Sequence, residues 1–355
     1  MSEGARSIVT CDEDSTALVS LELAKTSAIL PGEWLDTGDT VQGRLLLIDL
    51  PVSFEAFSRE AADSIFIRHL APVDLTIPIQ GSAQDIETLV SAASGLADRL
   101  SMGSTFSVQT RVLGSGKLPY RKVVVNEAIS QTLSSAAGLT MDCRHPDQVV
   151  SIVCTPRQAY LGVSQATHNR SEWVGGQHRL KADDAQISRS EFKLEEAIAV
   201  FDLALPKRGV ALDIGASPGG WSRLLASRGL DVFAVDPGDL DARLKIEKRI
   251  THVRSRIQDF RGGPPEFDLI VNDMKMDARD SIAIMATFAR RLKVGGTALM
   301  TLKLPKMPST PSEARKLLDM VRLDLEALAQ SYSVIGARQL FHNRSEFTVV
   351  LERSD

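Results

Sequence analysis

From residue 210 onward, short apolar runs alternate with stretches of helical spacing, and this alternation limits the fold more than any other feature of the chain. The runs Val210–Gly215, Asp231–Pro237, His252–Ile257, Asp268–Met274 and Thr297–Leu304 read as strands. Helical spacing falls at about 219–228, 278–292 and 311–331. Such order predicts an α/β domain with a mostly parallel sheet and helices on its faces. Two more runs, Ser333–Phe341 and Glu346–Arg353, are joined by His342-Asn-Arg-Ser345 alone. A parallel crossover needs a dozen or more residues, so the last strand is expected to be antiparallel.

The turn Asp213-Ile-Gly-Ala-Ser-Pro-Gly-Gly220 closes the first strand and opens a helix. Small residues let backbone amides approach a ligand, and a helix start adds partial positive charge. Gly215, Ser217, Pro218, Gly219, Gly220 and the following Trp221 are therefore candidate ligand-binding positions. Asp236 ends the second strand, where a carboxylate can accept both hydrogen bonds of a ribose diol. Asp259 follows the third strand and is a candidate partner for an adenine amino group. A nicotinamide fingerprint, G-x-G-x-x-G, fits poorly, because Pro218 and two adjacent glycines stand in its place.

Two helix starts are signed by capping boxes, Ser188-Arg-Ser-Glu191 and Thr310-Pro-Ser-Glu313. The first puts Lys193 in the opening turns of a helix. Ligands of open α/β sheets sit beyond the carboxyl ends of the strands. Asp273 ends the fourth strand and Lys303 the fifth. Glu346 begins an antiparallel strand, so it lies at the same edge. Topology alone makes these distant residues converge.

With these landmarks in place, residues 188–353 resemble the FtsJ/RrmJ-type RNA ribose 2'-O-methyltransferases. The resemblance rests on Asp213–Trp221, on Asp273-Met274, on Thr301-Leu-Lys-Leu-Pro305 and on Phe341-His-Asn-Arg-Ser-Glu-Phe-Thr348. It implies a Rossmann-like domain that binds S-adenosyl-L-methionine, with Ser188 and Asp273 among the cofactor contacts. It also implies a catalytic tetrad of Lys193, Asp273, Lys303 and Glu346, and no metal. In that tetrad Lys303 is expected to be the general base, Lys193 to position the hydroxyl, and the two carboxylates to orient the lysines. The segments around Lys193 and Glu346 most resemble the branch acting on large-subunit ribosomal RNA. That favours 23S rRNA as partner and leaves transfer RNA open. A base methyltransferase usually carries an Asn/Asp-Pro-Pro-Tyr/Phe motif where this chain has Asn272-Asp-Met-Lys275. Cytosine C5 chemistry needs a cysteine that this half lacks. A non-catalytic RNA-binding protein is the remaining alternative, and the filled tetrad speaks against it.

The N-terminal half is read as a small α/β region over 1–60, a domain over 61–165, a linker over 166–187, and then the domain from 188 to 355. Residues 61–165 resemble a THUMP domain, which implies RNA binding. The features are Phe106-Ser-Val-Gln-Thr-Arg111, a helix from Lys122, and strands over 148–154 and 158–164. Arg111, Lys117, Arg121 and Lys122, with Tyr120 among them, suit phosphate contact and base stacking. Arg170, Trp173, Arg179 and Lys181 are expected to guide RNA onward. A net charge of −4 is no obstacle. Residues 1–70 hold 12 acids and 5 bases, leaving 33 acids and 36 bases in the rest. The three cysteines lack metal-ligand or disulfide spacing, and neither a signal peptide nor a membrane helix is expected. A cytoplasmic protein is therefore expected; the oligomeric state is not indicated.

Overall fold

Among the described residues, short apolar runs build two sheets before residue 178 and one after it. The computed structural model describes residues 5–35, 43–114, 118–181 and 185–354. The chain divides into the units Met1–Gln177 and His178–Asp355.

The first unit contains β1 (Ala5–Cys11), α1 (Thr16–Leu23), β2 (Ile29–Trp34), β3 (Arg44–Leu50), α2 (Phe54–Glu60), β4 (Ile67–Val73) and β5 (Leu75–Pro78). It continues through α3 (Asp85–Ser94), β6 (Thr105–Val112), α4 (Lys122–Ala137), β7 (Thr140–Met141), β8 (Gln148–Cys154) and β9 (Gln158–Gln165). One sheet runs β2-β3-β1-β4 and the other β5-β9-β8-β6-β7. The first sheet thus takes its fourth strand from beyond residue 60. Helices α3 and α4 bury Leu89, Ala93, Val125, Ile129 and Leu133 against Phe106, Val150 and Ile152 of the second sheet. Short 3-10 turns, Ala166–Asn169 and Val174–Gly176, begin the stretch expected to be a linker.

Several residues expected to face RNA in this unit do not. Arg111 lies on β6, is buried, and its Nη1 donates to Thr10 Oγ1 at 3.0 Å. Tyr120 is buried as well, with its hydroxyl donating to Asp85 at 3.0 Å. Arg170 turns its guanidinium onto the carbonyls of Ala61, Ala62, Ser64 and Ile67. Burial lowers its pKa to about 10. Strand parity puts Arg111 beside Ser107 and Gln109, opposite Phe106 and Val108, and both faces of β6 are buried. Arg121, Lys122, Trp173, Arg179 and Lys181 remain exposed, and Lys117 lies outside the described residues.

The second unit contains α5 (Glu191–Val200), β10 (Val210–Ile214), α6 (Gly220–Ser227), β11 (Asp231–Val235), β12 (Ile250–Val253), β13 (Phe267–Asn272) and α7 (Ala278–Phe288). It ends with β14 (Leu292–Lys303), α8 (Pro311–Ala329), β15 (Ser333–Arg338) and β16 (Glu346–Glu352). Its sheet runs β12-β11-β10-β13-β14-β16-β15. Pairing is parallel from β12 to β14, and β16 is antiparallel to both its neighbours. The Rossmann-like architecture and the reversed last strand are as expected. The third strand differs: it ends at Val253, and the run to residue 257 continues into a 3-10 turn, Ile257–Asp259. Leu194, Ala197, Trp221, Leu225, Val271 and Leu299 form the core on one face. The Thr310–Glu313 capping box is complete. The one expected at Ser188 is half formed: Glu191 accepts from the Ile187 and Ser188 amides, but the helix N-cap is Ser190.

Candidate active site

Strand order reverses between β10 and β13, which opens a crevice beyond their carboxyl ends. Four charged side chains meet there. Lys303 ends β14 and is the register partner of Glu346, the first residue of β16. Asp273 follows the last residue of the neighbouring β13. Lys193 sits in the first turn of α5. Its Nζ donates to both Asp273 oxygens at 3.1 Å and lies 2.7 Å from Glu346 Oε1. Lys303 Nζ donates to Asp273 Oδ1 at 2.9 Å and to Glu346 Oε2. Two cations and two carboxylates thus close a charge-balanced ring.

The ring is partly open. Lys193 and Lys303 keep 18% and 21% of their side-chain surface, against 7% for Glu346. A substrate can reach the ammonium groups; Asp273, at 15%, is nearly as open, and Glu346 is the most enclosed of the four. Burial works against the charge of Lys193, but Asp273 and Glu346 outweigh it, and its pKa is raised.

The glycine turn adjoins the ring. Gly215 has φ +75°, and a Cβ there would fall 2.2 Å from Met274 Cγ. Gly219 has φ +106° and caps α6 at its N-terminus. Both positions need glycine for conformation and for room. Ser217 and Pro218 are exposed at the tip, and Gly220 is buried. A Cβ on Gly220 would strike Ser188 Oγ, which is itself bonded to Ser190 Oγ at 2.7 Å. Asp236 accepts from the Ser217 amide at 3.2 Å and the Gly238 amide at 2.6 Å. That fixes its carboxylate at the strand end and leaves lone pairs for a diol. Asp259 is exposed on the turn after β12. Trp221 instead points into the core and donates from Nε1 to the Ser190 carbonyl at 2.7 Å. It joins the glycine turn to the start of α5 and does not line the crevice.

Three contributors escaped sequence reasoning. Thr301, buried on β14, donates to Asp273 Oδ1 at 2.5 Å and accepts from Lys303 Nζ at 2.9 Å. Its spacing two residues before Lys303 puts both on one face of the strand, and that was readable. Glu196, one turn beyond Lys193, accepts from the Phe341 and His342 amides at 2.7 and 2.8 Å. It holds the hairpin loop that leads into Glu346. Asp213 is wholly enclosed under the glycine turn, with Ser222 Oγ donating to it at 2.6 Å. Burial pushes its pKa up to about 7.

The cradle fits an adenosine-bearing cofactor: a strand-order switch point, a glycine turn into a helix, and a fixed carboxylate on the next strand. Residues 186–302 match the FtsJ-like methyltransferase family. That stretch is therefore an FtsJ-like methyltransferase domain, a class whose methyl donor is S-adenosyl-L-methionine. The ribosomal RNA large subunit methyltransferase M of Ectopseudomonas mendocina (strain ymp) is 32% identical over 231 residues, covering 63% of this chain and 64% of that protein. The protein of the same name from Pasteurella multocida (strain Pm70) is 37% identical over 228 residues, 60% of each chain. This chain thus spans less than two thirds of the curated relatives it matches. The crystal structure of TrmN from Thermus thermophilus aligns over 98% of this chain and 99% of that one, with a TM-score of 0.37 and 17% identity. The strand order, and not that alignment, defines the fold.

Proposed function

We propose that this protein transfers a methyl group from S-adenosyl-L-methionine to a ribose 2'-hydroxyl of RNA, with large-subunit 23S ribosomal RNA as substrate. The observation that carries the reading is the closed ring of Lys193, Asp273, Lys303 and Glu346 beside the glycine turn. Asp236 would hold the cofactor's ribose, and the Gly215–Gly220 turn its remaining backbone-facing part. When bound, the cofactor supplies an electrophilic methyl on a positively charged sulfonium.

A ribose hydroxyl is a poor nucleophile while protonated. Its oxygen forms the new bond to the methyl carbon as its proton passes to Lys303 Nζ. The bound donor would supply the methyl carbon and take up the electron pair of the broken C–S bond on its sulfur. The proton is accepted on a lone pair of Lys303 Nζ, so the ring acts as a base only with that nitrogen unprotonated. Asp273 and Glu346 hold both nitrogens in place, and Lys193 donates to the hydroxyl oxygen. A positioned base contributes about 10²–10⁴-fold, and alignment supplies much of the rest.

Residues 61–165, within the first unit, are proposed to be a THUMP-like RNA-binding domain. The order α3, β6, α4, β8, β9 supports this. Labelled methyl transfer to total RNA, followed by mapping of alkali-resistant linkages, tests the whole reading. One resistant linkage in the large-subunit RNA is expected. Label found on a base, with every linkage still alkali-labile, would sink it.

A further inference from the structure

Each member of the ring has an exposed basic residue close by in sequence. Arg189 precedes Lys193 by four positions, Lys275 follows Asp273 by two, Lys306 follows Lys303 by three, and Arg344 precedes Glu346 by two. All four are exposed. None pairs with a carboxylate among the described residues. They belong to four separate segments, and the sheet brings all four segments to one edge. Lys275 lies beyond β13 and Lys306 beyond β14. Arg344 lies before the antiparallel β16, hence at the same edge. Arg189 leads into the helix whose Lys193 reaches Asp273.

Several acids of these segments are committed elsewhere. Glu191 and Glu196 are buried and accept backbone amides. Asp277 caps α7 by accepting from the Arg279 amide, and Glu313 closes the capping box of α8. The ring itself is charge-balanced. What these segments offer to solvent is therefore a rim of cations around the charge-balanced ring.

We propose that Arg189, Lys275, Lys306 and Arg344 form a phosphate-binding rim that holds the sugar-phosphate backbone on both sides of the nucleotide entering the ring. This inference rests on the RNA substrate proposed above and gives it a place on the second unit. The rim accounts for register and affinity and not for sequence, since phosphate contacts carry no base information. Neutralising a phosphate contact reduces the salt dependence of binding, with a slope of about 0.7 per contact for single strands.

The test uses the full chain and a fluorescein-labelled single-stranded RNA of mixed sequence, with anisotropy read across a potassium chloride series. The triple variant Lys275→Gln, Lys306→Gln, Arg344→Gln is expected to flatten the log–log salt slope by about 2 and to weaken low-salt affinity roughly tenfold or more. S-adenosylmethionine affinity by calorimetry and the melting temperature stay at wild-type values, which separates this from misfolding. Arg228→Gln is the control. Arg228 is exposed where α6 ends, at the opposite edge of the sheet, and its loss should leave the slope unchanged. A triple variant that keeps the wild-type slope and affinity overturns the rim, and so does a wild-type chain that fails to bind. Rim-dependent binding without methyl transfer would instead discard the proposed reaction and leave the rim standing.

Discussion

Both units bury charge, but they use it differently. In the first, Glu22 accepts from the Ile65 and Phe66 amides at 2.7 and 3.1 Å, and Arg170 donates to four backbone carbonyls. In the second, two lysines and two carboxylates bond one another and keep part of their surface open. Charges answered by backbone fix the path of the chain. Charges answered by other charges at a sheet edge can exchange partners with a substrate. A basic residue in sequence therefore has no meaning for binding until its partner is known. Arg111 and Arg170 looked like RNA contacts and are internal struts.

The contrast is broken most directly by two substitutions with opposite signatures. Lys303→Ala should lower kcat by about 10²–10⁴-fold, with cofactor affinity by calorimetry near that of the parent. A variant retaining full turnover would remove Lys303 as the base. Arg170→Ala should spare turnover per folded molecule and cost about 2–4 kcal/mol of stability in chemical unfolding, because several carbonyls lose a charged donor together. If it instead cut RNA affinity without loss of stability, the strut would be an RNA contact after all.

A second comparison concerns the buried acids Glu22 and Asp213, one in each unit. Burial raises Glu22 from 4.5 to about 7 and Asp213 from 3.8 to about 7. Over that range the folded state keeps protons that the unfolded chain has released. Their stabilising contribution is thus complete below the unfolded values and is lost as pH rises through about 7. Melting temperature should fall over this window. Asp213→Asn should flatten the part of the decline belonging to the second unit and leave that of Glu22. An unchanged profile would show that Asp213 stays ionised in the folded protein.

The second unit was legible because its signals are local and its topology is constrained. Alternation gave the sheet, four connecting residues gave the reversed strand, and the tetrad positions sat beside those landmarks. The sequence could not say which way a side chain turns. Trp221 adjoins the glycine turn yet faces the core, and Tyr120 lies in a basic loop yet packs against Asp85. Each is decided by what packs behind it, which local pattern does not carry. The third strand was misjudged at its end because Ile257 is apolar for a different reason: it is buried from a 3-10 turn.

Thr301 offers the finest test of how the ring is held. Its hydroxyl lies between Lys303 and Asp273, accepting from one and donating to the other. Among the described residues it is the neutral link in an otherwise ionic ring. It is buried and paired in register with Thr348, so valine fits the space. Thr301→Val removes one polar link from Lys303 and leaves Asp273 and Glu346 to hold it. A single hydrogen bond of this kind contributes about 1 kcal/mol, so kcat should fall roughly fivefold. KM for RNA should not move, because the hydroxyl faces the protein. A change confined to KM would mean that Thr301 meets the substrate directly, and the ring would then be held by its ion pairs alone.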